Sequence, residues 1–503
     1  MRNYAALTKI HRDLYGLRHA DAILSWDEAA MMPTGGESAR AEALSTLRGL
    51  IHRHRTQACM ADLFAGAAEE NAQLQLWEQA NLREMRREWM RATALPQSLV
   101  EAMSRAESHS EQAWRRLRPA NDFAGFLPLF REVMRLKQEA AHAWGQKFGL
   151  SPYDALLDAY EPGMRAANIA PLFARLRVVL PKLIAKAMTR QAKKPAQTCA
   201  GPFPVERQHQ LGLEMMRRLG FDFRHGRLDT SHHPFCGGVP EDVRITTRYA
   251  PDNFLPALCA VLHECGHAKY QQHLPSQWLG QPVAEPRGPC LHESQSLLLE
   301  MHVGRSGAFL AFAAPIIAAA FPDLAAAAPD AFTPERLLRQ LSRVEPGLIR
   351  IDADELTYPC HIILRFEIEK GLIEGSLQPD DLPDAWDPGM REMLGLSSRG
   401  NDRDGCMQDV HWPAGMFGYF PGYALGALAA AQFFRAAKRA SADLMGQIGR
   451  GDFGGLDAWL DQQVWSQGSL LGTSELIERA TGYPLGTEAF EEHVERRYLH
   501  GES

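Results

Sequence analysis

The stretch Phe254-Leu255-Pro256-Ala257-Leu258-Cys259-Ala260-Val261-Leu262-His263-Glu264-Cys265-Gly266-His267-Ala268-Lys269-Tyr270-Gln271-Gln272 decides how this chain is read. Leu255, Leu258 and Leu262 recur at helical spacing, and Asp252 or Asn253 can cap a helix whose first turn tolerates Pro256. The spacing predicts an apolar, buried helix over 254–272 with His263 and His267 in its middle. Residues four apart lie one turn apart on one face, so the two imidazoles can bind one metal ion. Glu264 then stands beside that ion, able to take a proton from a metal-bound water. Gly266 permits something to approach the helix closely, whereas a solvated helix would gain from alanine here. Cys265 falls on the opposite face and reads as a small buried apolar residue.

This is the H-E-x-x-H arrangement of zinc hydrolases, but it should occur by accident in roughly 5% of chains of this composition, so its surroundings matter. Catalytic zinc takes three protein ligands and keeps one position for water. Glu285, Glu293 and Glu300 are the nearby candidates for the third. Glu285 precedes Pro286 and belongs to a loop. Glu293 and Glu300 share one face of a helix, about 10 Å apart along its axis, so only one can reach the ion. Spacing alone leaves the choice open.

The remaining composition narrows the class. The 503 residues carry 54 Lys+Arg and 61 Asp+Glu, a formal charge of −7, which gives no reason to expect nucleic acid or an acidic membrane as partner. Hydrophobic residues make up 45%, enough for a substantial core. Eight cysteines are scattered without a C-x-x-C pair, which suits a reducing compartment. Met1-Arg2-Asn3-Tyr4 has no signal-peptide apolar core, and Ala308–Ala328 is broken by Pro315, Pro322 and Asp323. A cytoplasmic protein with no membrane span is expected.

Helical periodicity dominates residues 36–54, 70–93, 97–117, 123–148 and 168–192. Residues 193–204, with three prolines and a glycine, read as an exposed connector within a single catalytic domain spanning 1–503. The main β signal is Asp242–Tyr249, where Val243, Ile245 and Thr247 alternate with polar residues after the turn-rich Cys236–Pro240. Such a strand could offer an exposed edge to an extended peptide, or belong to an ordinary hairpin covering the helix. The expected architecture is mainly α: a large helical body with a small sheet beside the H-E-x-x-H helix.

At this point the chain resembles the thermostable carboxypeptidase (carboxypeptidase Taq) family of zinc metallocarboxypeptidases. The family's H-P-F is here as His233-Pro234-Phe235, and its D-x-R-x-T as Asp242-Val243-Arg244-Ile245-Thr246. Its H-E-S-Q is His292-Glu293-Ser294-Gln295, and its I-R-x-x-A-D is Ile349-Arg350-Ile351-Asp352-Ala353-Asp354. Its G-x-x-Q-D-x-H-W is Gly405-Cys406-Met407-Gln408-Asp409-Val410-His411-Trp412. Trp26-Asp27 followed by Met32-Pro33 also looks like the family, so the resemblance spans nearly the whole chain.

The resemblance implies a saddle-like helical subunit with a deep substrate groove, usually a homodimer. It implies one Zn²⁺ per subunit, replaceable by Co²⁺, on His263, His267 and Glu293, with Glu264 as general base. It assigns Arg350 to the substrate's C-terminal carboxylate, which a planar guanidinium suits by bidentate pairing; the alternative for Arg350 is an ion pair with Asp352, Asp354 or Glu355. His411 and Tyr423, and more weakly Tyr419, are candidates for the donor to the tetrahedral oxyanion. His233 and Gln408 join the substrate-contacting set. Asp242, Arg244, Asp354 and His292 are expected to be structural or to orient the metal ligands. Where the family continues the H-E-S element with Arg and an aromatic, this chain has Leu297, Leu298 and Leu299, so packing or supporting contacts there should differ.

The expected function is sequential release of single residues from peptides with a free C-terminus, with broad specificity. Two alternatives stand: a zinc oligopeptidase or dipeptidyl carboxypeptidase, and a non-catalytic peptide-binding protein on the same fold.

Overall fold

A computed structural model describes residues 1–194 and 201–501 of the chain. The helical periodicity materialises almost as read. Helices occupy Glu37–Arg55, Gln97–Leu117, Phe123–Phe148 and Ala166–Gln191. The segment 70–93 is not continuous. One helix stops at Glu70, and Leu76–Thr93 begins afresh. The restart has a local cause: Gln75 and Glu78 form a reciprocal capping box, with the Gln75 amide donating to the Glu78 carboxylate at 2.8 Å. Of the connector read over 193–204, residues 195–200 lie outside the described residues.

Three of the N-terminal helices, Arg2–Ala30, Met60–Glu70 and Leu76–Thr93, gather a small core of their own around Leu7, Phe64 and Met85. The main core runs from Phe123 to Tyr498 and envelops the motif helix. That helix spans Leu255–Gln272. The N-cap position falls to Phe254, not to Asp252 or Asn253; Asn253 stands one residue outside, where its Oδ1 accepts the Leu255 amide at 3.1 Å, and Pro256 sits in the first turn, where its missing N–H costs nothing. The stretch 308–328 folds as two helices, Gly307–Ala320 and Pro322–Ala327. No single helix among the described residues is long and apolar enough to cross a membrane.

The sheet corrects two expectations. It has three strands, β1 (Gly226–Thr230), β2 (Phe235–Val239) and β3 (Asp242–Thr247), in the order β1-β3-β2. Cys236–Pro240, read as turn-rich, is mostly β2. The strand read as an exposed edge, β3, is central: it pairs parallel with β1 and antiparallel with β2. Burial explains this. Val243, Ile245, Thr246 and Thr247 are all fully buried, so the end of the strand is covered on both faces, while Asp242 and Arg244 on the alternate face stay half-buried. The edge strand on the side of the groove is β2.

Candidate metal centre and substrate groove

Two helices make the centre, and a missing side chain lets them meet. A Cβ on Gly266 would lie 2.4 Å from the carbonyl oxygen of Gln295 and 2.6 Å from the Ser296 Cα. Gly266 therefore lets the helix Pro289–Leu297 lie against the motif helix and bring Glu293 to the two histidines. From behind, the helix Pro421–Ala440 presses on Glu293 through Gly426, whose Cβ would stand 2.8 Å from that of Glu293.

The outcome is a cluster in which one donor atom each from His263, His267 and Glu293 lies within 4.8 Å of the others. The Glu293 oxygens are 3.9 Å from His263 Nε2 and 3.6 Å from His267 Nε2. Ligands held at zinc's 2.0–2.1 Å around a tetrahedron sit about 3.3 Å apart, so these residues fit a small divalent ion with little movement. The electrostatics agree. Burial opposes charge on His263, yet Glu293, Glu300 and Glu264 outweigh it and push the imidazole up to about 10. Without a metal, this field draws a proton to where a cation belongs. His267 is the opposite case: burial, then His292 and His263, hold it well below its ordinary value. Glu264, buried beside the cluster, is pushed up to about 7 by desolvation, against the pull of His263.

Glu300 also finds its place. It does not join the ligand cluster; its Oε2 meets the far nitrogen of His263, Nδ1, at 3.0 Å. Its other oxygen accepts from Arg305 Nη2 at 2.6 Å, and Arg305 Nη1 donates to the Leu341 carbonyl. Beyond Leu297 the chain takes a wide π-helical turn, Leu298–Gly304, of the kind frequent at functional sites. Leu297, Leu298 and Leu299, the departure from the family pattern, are all buried here. His292 lines the groove and stacks on His267 with ring centroids 4.3 Å apart. Burial holds it at about 4, so it stays neutral against a ligand.

The cluster opens into a groove of about 1360 Å³. Its walls include His233, Glu264, Arg350, Tyr358, Tyr419 and Tyr423. The His233 turn is held from below: Ser231 Oγ donates to the His233 carbonyl at 2.5 Å and accepts from Thr246 Oγ1 at 2.7 Å. The threonine of D-x-R-x-T thus serves the histidine of H-P-F. Asp242 and Arg244 do not support the metal ligands. They pair with each other at 2.5 Å, and Arg244 stacks on Trp26 at 4.5 Å, tying β3 to the first helix.

Arg350 lines the groove, and its acidic partner is none of Asp352, Asp354 or Glu355. Its Nε and Nη2 both donate to Asp409 Oδ1, at 3.0 and 2.8 Å, and its Nη1 donates to the Tyr358 hydroxyl at 2.9 Å. The other Asp409 oxygen takes the fully buried Arg365, at 2.7 Å from Nε and 2.5 Å from Nη2. Two guanidiniums share one carboxylate, which leaves an unbalanced positive charge behind the groove wall. Asp354 is an organiser of this loop, its carboxylate accepting the amides of Glu345, Leu356 and Thr357.

Two expected substrate contacts sit elsewhere. Gln408 does not face the groove. Its Oε1 accepts the Arg350 amide at 2.7 Å, and its Nε2 donates to the carbonyls of Leu348, Asp404 and Gly405. Its polar atoms are spent on backbone, so it sets the Arg350 loop. His411 lies behind the tyrosines, its ring 4.4 Å from that of Phe420 and 5.6 Å from that of Tyr419, and it does not line the groove. Burial holds it at about 4, against the pull of Asp409. Tyr419 and Tyr423 are the groove-lining members of that aromatic group. Sequence reasoning missed Arg365 and Tyr358 outright, and named Asp409 only as a letter in a motif. Nothing in the periodicity of the helix Tyr358–Glu374 marks Arg365 as a fully buried charge.

Comparison with known proteins agrees with this arrangement. The family model described as carboxypeptidase Taq (M32) metallopeptidase matches residues 6–498. Thermostable carboxypeptidase 1 of Thermus thermophilus is 37% identical over 508 residues, covering 98% of each chain. Among solved structures, Trypanosoma cruzi metallocarboxypeptidase 1 superposes with a TM-score of 0.96 at 41% identity, covering 99% of both chains. The M32 carboxypeptidase of Deinococcus radiodurans gives 0.94 at 36% identity, again covering 99% of both.

Proposed function

The chain belongs to the carboxypeptidase Taq (M32) family of metallopeptidases, and from that premise we propose a zinc-dependent carboxypeptidase that removes residues singly from free C-termini with broad specificity. The observation that carries this reading is the sharing of one groove by a His₂Glu cluster and an under-neutralised arginine.

His263, His267 and Glu293 would hold the ion, which supplies Lewis acidity toward a water and the scissile carbonyl. A His₂Glu donor set accepts several divalent ions, and zinc is the choice that fits its mixed nitrogen and oxygen donors. Glu264 accepts the proton of the attacking water at its carboxylate and passes it to the departing amine nitrogen. Its buried environment suits it to both halves of that exchange. Glu300 holds His263 by its outer nitrogen, fixing the ring's tautomer and direction.

Arg350 receives the substrate's terminal carboxylate. A guanidinium has five N–H donors; Asp409 and Tyr358 occupy three of them, so one on Nη1 and one on Nη2 remain for a ligand. The charge left over from two arginines on one aspartate is matched by one incoming carboxylate. Tyr423 or Tyr419 supplies a hydroxyl to the oxyanion of the tetrahedral intermediate. His233 lines the same groove and contacts the peptide upstream. A homodimer in the cytoplasm completes the proposal, and sedimentation velocity tests the first part.

The test is mass spectrometry of defined peptides, each offered with a free and an amidated C-terminus, to the zinc-loaded enzyme and its Glu264→Gln variant. Single-residue ladders from free ends only, absent with the variant, are expected. Two-residue steps or cleavage of amidated ends would establish the dipeptidyl or oligopeptidase reading instead and remove Arg350 from its role.

A further inference from the structure

A second cluster with metal-ligand chemistry adjoins the same groove, and the mechanism above makes no use of it. His302, Glu355 and His493 each present a donor atom within 4.8 Å of the other two. They come from three separate elements. His302 lies on the π-helical turn that follows the Glu293 helix, Glu355 lies five positions after Arg350, and His493 lies on the helix Glu488–Glu495 near the C-terminus. We propose that these three side chains form a second site for a borderline divalent transition-metal ion, separate from the H-E-x-x-H centre.

The case rests first on the donors. Two imidazoles and one carboxylate are a set that suits zinc, cobalt or nickel and does not suit calcium or magnesium. The His302 and His493 rings have centroids 4.0 Å apart with planes tilted by 47°, so neither covers the other's edge fully. His302 is only 3% exposed, and its ring neighbours are His493 and Phe434.

The carboxylate is already oriented. Glu355 Oε2 accepts from Arg497 Nη1 and from the Tyr498 hydroxyl, both at 2.9 Å. This leaves Oε1 turned toward His493 Nε2, at 2.8 Å. Arg497 and Tyr498 thus act as supporting partners of a ligand oxygen. The proton between His493 and Oε1 stands where the ion would go. Loading the site releases it, and opens that contact by about 0.5 Å to the separation of ligands around a tetrahedral ion. Burial holds both imidazoles below their ordinary range, so each ring is neutral and an ion has at most one proton to displace from it. His302 and Glu355 line the groove, so an ion has a way in. Arg497 offsets the only carboxylate, so this site binds more weakly than the His263 centre.

Such an ion would staple three parts of the groove: the helix that carries Glu293, the loop that carries Arg350 and the C-terminal helix. The test is metal content after equilibrium dialysis of tag-free protein against Zn²⁺, together with Co²⁺ absorption spectra. Wild type should take up two ions per chain. A His263→Ala/His267→Ala variant should keep one, with a visible Co²⁺ spectrum and with thermal stabilisation by Zn²⁺. Adding His493→Gln, which preserves a donor to Glu355, should abolish that remaining ion, spectrum and stabilisation together. His302→Gln should do the same, and circular dichroism checks that each variant is folded. One ion per chain in wild type, or a second ion that survives His493→Gln, overturns the proposal. These readouts do not depend on peptidase activity.

Discussion

Arg350 donates through both Nε and Nη2 to a single oxygen of Asp409, at 3.0 and 2.8 Å. This side-on grip turns the guanidinium so that its far edge faces the groove, while Arg365 occupies the aspartate's other oxygen. Lysine cannot keep such a grip and also present two donors. Arg350→Lys should lower kcat/KM for free-ended peptides about 10- to 100-fold, mostly through KM, the range expected for a lost charged hydrogen bond of about 1.5–3 kcal/mol. Steady-state kinetics on paired free and amidated peptides reads this directly. Equal losses on both would remove carboxylate recognition from Arg350.

Asp409 carries structural weight as well. Burial alone would raise its carboxyl, but Arg365 and Arg350 hold it well below the usual range. Asp409→Asn leaves two buried guanidiniums without a counter-charge, and breaking a buried pair costs about 3–5 kcal/mol. The sign in pH follows from the lowered folded-state value. The stabilisation is fully present above the unfolded carboxyl's range, about pH 4, and is lost as pH falls through the folded value. The gap between wild type and variant in denaturant melts should therefore be widest near neutrality and shrink below about pH 4.

Glu264 sits beside the His263–His267–Glu293 cluster without belonging to it. Glu264→Gln should keep its metal content and lose about 10²- to 10⁴-fold in kcat, the span of a general acid–base contribution. Metal analysis beside single-turnover kinetics separates the two quantities. Loss of the metal in this variant would make Glu264 a ligand, not a base.

Glu300 is bound to the metal centre only through His263. Removing a carboxylate behind a ligating histidine typically weakens metal binding 10- to 100-fold. Glu300→Gln should therefore need correspondingly more Zn²⁺ to regain activity after chelator treatment, with a maximal rate that recovers. A chelator titration of both proteins measures it, and coincident curves would reduce Glu300 to a partner of Arg305.

Gly266 marks where two helices touch. A Cβ there would press into backbone atoms of Gln295 and Ser296, which cannot swing aside as a side chain would. Gly266→Ala should destabilise by about 1–3 kcal/mol through overpacking. It should also weaken metal binding, because the helix that must retreat carries Glu293. Calorimetry with and without Zn²⁺ tests both effects, and an unchanged melting temperature would mean that the contact yields freely.

Much of the site is legible in the chain because its parts are local. The spacing of His263 and His267 is a property of one helix, and so is the placement of Glu264 between them. The glycine that lets a second helix approach lies in the same pentapeptide. The leucines that bury the motif helix recur at a period that needs no partner to be seen. The third ligand was narrowed to a pair by periodicity alone, and choosing within that pair required the family resemblance.

What only the tertiary structure decided depends on residues far apart in the chain. The partner of Arg350 is Asp409, not one of the acids beside it, because the loop carrying Gln408 folds back and donates that carboxylate from 59 positions away. His411 shares a motif with Asp409 but lies behind the groove wall, since neighbours in a loop can point to opposite sides. β3 is central because a strand's alternation records which residues are polar, while pairing is decided by what else reaches its edges. The sequence by itself determined the metal-binding helix, through local periodicity. The tertiary structure decided which charges meet, because an ion pair is chosen by distance in space, and distance along the chain does not encode it.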